Sequence, residues 1–119
     1  MANINESLSQ LLGVDGALCA AVVDSTSGML LGSAGSGVDM ELAAAGNTEV
    51  VRAKNKTIQA LGLDDTVDDI LITLSKQYHI IRPLAAHEGI FIYLVLDKAR
   101  SNLALARRKV LDVEKQIEF

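Results

Sequence analysis

The chain is short of the residues that fix a fold covalently. Its single cysteine, Cys19, excludes an internal disulfide, and two histidines beside one cysteine argue against a structural zinc site. No apolar run reaches the ~18 residues that would span a bilayer. The segment MANINESLSQ lacks the basic and apolar blocks of a signal peptide, so a cytoplasmic protein without membrane insertion is expected. No repeat is evident, and no linker divides the sequence. A net charge of -4 and a pI near 5.0 oppose electrostatically driven nucleic-acid binding.

What is present is apolar. Half of the 119 residues are hydrophobic and the mean hydropathy is +0.28, which excludes disorder as a description of the whole chain. This length suits one domain, residues 1-119, large enough to build a core without staples. Charge is unevenly spread. Met1 to Asp97 carries 5 basic and 12 acidic residues, whereas Lys98 to Phe119 carries 6 basic and 3 acidic.

Periodicity sets the elements. Ile4, Leu8, Leu11 and Leu12 lie on one helical side, with Asn3 or Asn5 as N-cap and Gly13 as a stop. Ala17 to Asp24 reads as a strand apolar on both faces, joined through Ser25, Thr26, Ser27 and Gly28 to a second strand, MLLGS. The stretch GSAGSG, Gly32 to Gly37, reads as a flexible connector. A phosphate-loop reading fails because no Lys-Ser or Lys-Thr pair follows and Asp39 and Glu41 put negative charge where a phosphate would sit.

Asp39 can cap a long helix reaching about Leu61. Placed at 100° per residue, this helix has two apolar stripes. One holds Leu42, Ala43, Gly46, Val50, Ala53, Ala60 and Leu61; the other holds Met40, Ala44, Val51 and Ile58. Together they exceed what one sheet face can cover, so another element or a second copy of the chain is expected over the surplus. Three strands follow, Asp68 to Ser75, Tyr78 to Leu84 and Gly89 to Asp97, with links short enough for an antiparallel meander. The last is apolar on both faces and belongs at the centre of a covered sheet. A final helix from about Ser101 carries Leu103, Ala106, Val110, Val113 and Ile117 inward. The expected fold is α/β: a three-layer α/β/α sandwich on a five-stranded antiparallel sheet, in the order αββαβββα.

Chemistry is sparse. Asp64, Asp65, Asp68 and Asp69 lack the glycine and distal glutamate of a calcium loop and read as a solvated strand cap. His79 and His87 have no nucleophile motif beside them, and Cys19 sits in a strand expected to be buried. His79 therefore reads as a packed or hydrogen-bonded histidine. Arg82 is expected to pair with a carboxylate or reach the surface. Arg100, Arg107, Arg108 and Lys115 gather along one flank of the last helix, either as a solvated flank with partners such as Glu114 or as a surface for an acidic protein. No catalytic residue, metal or cofactor is expected, and the chain reads as a non-enzyme.

Three runs carry a family likeness: Leu11 to Gly35, Asp68 to Leu84 and Gly89 to Arg107. Within them the Tyr78, Ile81, Arg82, Pro83, Leu84 strand and the segment with Asn102, Leu103 and Arg107 are most specific. Together they resemble the Roadblock family, the Roadblock dynein light chains and the MglB-type regulators of Ras-like GTPases. The resemblance implies a homodimer in which one sheet edge pairs with its mate and the middle helices pack together. It further implies a regulator that binds a small Ras-like GTPase, or else a dimeric scaffold of a motor or signalling complex. On this reading the dimer interface uses Met40, Ala44, Val51 and Ile58 together with the edge Asp69, Ile70, Leu71, Ile72 and Thr73. Partner contact falls to the outward positions Glu41, Thr48, Arg52, Lys56 and Gln59. Asp68 and Asp69 are expected to limit further strand pairing.

Overall fold

A computed structural model describes residues 1–119. It contains α1 (Ile4–Leu12), β1 (Ala17–Asp24), β2 (Met29–Gly35), α2 (Met40–Ala60), β3 (Ile70–Thr73), β4 (Gln77–Pro83), β5 (Ile90–Asp97) and α3 (Leu103–Gln116). The strands form one antiparallel sheet in the order β2-β1-β5-β4-β3. This is the αββαβββα sandwich the periodicity predicts.

Local signals account for the helix starts. The Asn3, Asp39 and Asn102 side chains accept hydrogen bonds from the backbone N–H groups of Glu6, Leu42 and Leu105, at 2.8, 3.2 and 3.1 Å, and so cap α1, α2 and α3. Between β1 and β2 the Asp24 carboxylate accepts from the N–H and hydroxyl of Thr26, and these bonds hold its carboxyl below the usual carboxylate range.

Alternation along β1 and β5 divides the core in two. Ala20, Val22, Ile92, Leu94 and Leu96 point to the layer of α1 and α3, meeting Leu8, Leu11, Val110 and Val113. Cys19, Ala21, Val23, Phe91, Tyr93 and Val95 point the other way and meet Ala44 and Val51 of α2. The two strands are fully interior, as their two-sided apolar pattern requires. Burial pushes the Cys19 thiol up, which keeps it from the reactive thiolate form.

Two boundaries depart from the sequence reading. Gly32 to Gly35 belong to β2, and only Ser36 to Asp39 connect it to α2. These glycines serve close packing: a Cβ on Gly32 would lie 2.7 Å from Ile4 Cγ2, and one on Gly35, at φ +84, would lie 2.7 Å from Cys19 Cα. β3 is four residues long, shorter than the expected Asp68 to Ser75, because Asp68 and Asp69 stand before it and Leu74 already bonds across the turn to Gln77.

Candidate interaction surface

α2 turns toward the sheet the stripe that the sequence reading assigned to a mate. Ala44 and Val51 are 1% and 5% exposed, Met40 packs beside them, and Ile58 is half-buried on the same side. The reason is steric. Small side chains over the alanine-rich first half of the helix let it settle onto Cys19, Ala21 and Val23, which are themselves small. Thr48 also belongs to this inner side: it is 2% exposed and its hydroxyl donates to the Ala44 carbonyl at 2.7 Å. It is not an outward position.

The outer side of α2 carries most of the other stripe, whose Ala43 and Val50 instead lean half-buried on the core beneath. Leu42 and Leu61 are 71% and 65% exposed, and Gly46, Ala53 and Ala60 lie exposed between them. At about 100° per residue, Leu42, Gly46, Ala53 and Ala60 fall opposite Ala44 and Val51. A Cβ on Gly46 would meet nothing within 4 Å, so the helix backbone is open to close approach there. Glu41, Lys56 and Gln59 are exposed as expected of outward positions. Arg52 is exposed but tethered, donating to the Thr26 carbonyl at 2.7 Å and lying 3.6 Å from Glu49.

β3 ends the sheet and pairs only with β4, through Ile70↔Ile81 to Thr73↔Tyr78. Its other edge offers unpaired backbone groups. Ile70 leans on the α2 layer, Leu71 on the α3 layer, Ile72 is half-buried and Thr73 is exposed. Asp69 is no free guard of this edge: Arg107 holds its carboxylate with two hydrogen bonds of 3.0 and 2.8 Å. Asp68 is exposed.

The remaining charged residues settle individually. Arg82 reaches across the sheet face to Glu114 at 2.5 Å, and Glu114 also accepts the Ala85 N–H at 2.8 Å. Arg100 lies in the turn before α3, not on the helix, and pairs with Asp97 at 3.1 Å. Asp64, Asp65 and Asp68 stay exposed, and no group of three or more His, Cys, Asp or Glu residues is placed to hold a metal ion. No helix is long and apolar enough to cross a membrane.

His79 is hydrogen-bonded on both ring nitrogens, to the Tyr93 hydroxyl through Nδ1 and to Gln77 Oε1 through Nε2, each at 2.8 Å. With Gln77 accepting from Nε2–H, Nδ1 accepts from the phenol, which describes a neutral ring. Burial lowers the His79 pKa and raises that of Tyr93. The unfolded chain therefore takes up the proton more readily than the folded one. Stability should fall as pH drops through the unfolded histidine value of about 6.5, and level off only below the depressed folded value. Urea midpoints at pH 7.5 and 5.5 should differ in that direction, and His79→Phe should reduce the difference; an equal difference in both proteins assigns it to other groups.

No protein-family model and no curated protein matches the sequence. Solved structures do. Myxococcus xanthus MglB superposes with a TM-score of 0.83 at 18% identity, over 94% of this chain and 89% of that one. A Roadblock/LC7 domain from Streptomyces avermitilis gives a TM-score of 0.82 at 13% identity, over 96% and 93%. An MglB structure described as having a tetrameric arrangement gives 0.80 at 17% identity, over 94% and 82%. At such identities the likeness speaks for architecture, and it spans nearly the whole length of each chain: this protein has the Roadblock/LC7 fold that MglB also has.

Proposed function

We propose that the chain is a non-enzymatic, homodimeric regulator of a small Ras-like GTPase, acting in the cytoplasm with one domain per protomer. The observation that carries this reading is the likeness to MglB over almost the full length, joined to a middle helix whose outer line of Leu42, Gly46, Ala53 and Ala60 has nothing over it. In a second copy of the chain that stripe and the β3 edge meet their own kind, and Glu41, Lys56 and Gln59 beside the stripe supply polar contact to the GTPase. The dimer interface so revised keeps Ile70, Leu71, Ile72 and Thr73, leaves out Asp69, whose carboxylate Arg107 holds within the protomer, and exchanges Met40, Ala44, Val51 and Ile58 for the outer stripe. Regulation needs no catalytic side chain from this chain. A dimer that binds one switch conformation better than another shifts its population, and speeds hydrolysis only if it binds the transition state better than the GTP ground state.

The test is capture by the tagged protein from native extract, with excess GDP in one arm and a non-hydrolysable GTP analogue in the other. A small GTPase retained in one arm only is the expected result. A stable set of proteins retained equally in both would replace the regulator by a dimeric scaffold.

A further inference from the structure

On the face of the sheet away from α2, a cleft of about 420 Å³ opens between α3 and the β3–β4 edge. Its wall is a single side of α3, where Arg108, Leu111, Asp112 and Lys115 recur at helical spacing. Arg82 of β4 borders it and two neighbouring clefts. Its guanidinium is spoken for at one nitrogen only: Nε donates to Glu114, and the terminal nitrogens have no protein acceptor, although the side chain is just 18% exposed. Arg107 and Asp69 at the rim neutralise each other. Arg82 is likewise paired with Glu114, and Arg108 and Lys115 stand against Asp112, which leaves the recess one positive charge in excess. A net positive recess thus stands in a chain whose net charge is -4.

We propose that this cleft docks an acidic peptide segment of a protein partner, with Arg82 as its recessed fork and Arg108 and Lys115 as its outer contacts. The shape of the site selects this occupant. Two arginines present planar forks that match carboxylates, and Arg108 and Lys115 stand about two helical turns apart, a spread that suits several carboxylates in a row better than one compact dianion such as phosphate. A lipid surface needs protruding basic and apolar side chains, whereas Arg82 is recessed and only Leu111 is hydrophobic in the lining. The acidic remainder of the molecule repels such a segment elsewhere, so charge also fixes where it lands. The site lies across the sheet from α2, on the opposite face from the helix proposed to meet the GTPase.

The probe is an N-acetylated hexaglutamate peptide titrated into the isotopically labelled full chain, followed by amide chemical shifts, with inorganic phosphate and phosphatidylserine-containing vesicles as separate titrations. Hexaglutamate should move the amides of Ala85 and of Arg108 to Lys115 saturably. Affinity should fall about tenfold or more in the Arg108→Glu, Lys115→Glu double variant, while circular dichroism stays unchanged. A Lys54→Glu, Lys76→Glu variant, with the same change in net charge placed outside the cleft, should bind as the parent does. The proposal is overturned if the shifts do not saturate, if both double variants lose affinity equally, or if phosphate or vesicles act on these residues at least as strongly as the peptide. Should Arg108→Glu, Lys115→Glu fail to fold, Lys115→Gln alone decides, with a several-fold loss expected and no loss contradicting the site.

Discussion

Val51→Glu should destabilise the protomer by about 3–5 kcal/mol, the cost of an unpaired charge buried against the sheet, while Ala53→Glu should leave the fold intact and change only association. Val51 is 5% exposed and belongs to the core cluster of Ala21, Val23, Phe91 and Tyr93. No cation among its packing partners could receive a carboxylate. Two residues along the helix, Ala53 faces solvent on the opposite side. Since native domains are stable by about 5–15 kcal/mol, the first change removes a large share of the total. Urea denaturation of both variants, with sedimentation to read their mass, separates the effects. A Val51→Glu protein that melts like the parent but is monomeric would return this stripe to an interface.

Arg82→Met should rank with it, destabilising by about 3–5 kcal/mol, because Glu114 would keep its charge in a largely enclosed position with only the Ala85 N–H for company. The pair itself need not be worth that much. Removing both charges together, in Arg82→Met with Glu114→Leu, should recover most of the loss, since well-packed apolar side chains of similar volume often equal a buried ion pair. The double-mutant cycle from four urea curves gives the coupling directly. A double variant no more stable than Arg82→Met alone would mean that the arginine stabilises through its packing.

These two sites show what could be read from residue order alone. The strands β1 and β5 announce themselves by apolar residues on both faces, and the caps Asp39 and Asn3 by residue type followed by helical spacing, so layers and order were legible. The orientation of α2 was not. Each of its stripes mixes alanine with three larger apolar side chains, so hydrophobicity scarcely distinguishes them. The decision falls to fit against the small residues Cys19 and Ala21, which are far away in the chain. The ion pairs were legible in kind and not in partner: Arg82 in a covered strand calls for a carboxylate, and only the docking of α3 decides that it is Glu114 and that Arg107 takes Asp69. Gly32 and Gly35 misled because the same residues that loosen a connector also allow close approach inside a strand.

The strand order also governs how the molecule comes into being. β1 and β5 are neighbours in the middle of the sheet, with Val23 opposite Phe91, and the Ser25 hydroxyl donates to a carbonyl 64 positions away. On a ribosome the first hairpin and α2 emerge well before their central partner exists, so Ala20 and Val22 must wait with one flank bare until β5 is made. Refolding carries the same delay as loop-closure entropy, which places this chain among the slower mixed α/β folders despite its modest length. During that wait the newly made hairpin is the segment most in need of protection from self-association.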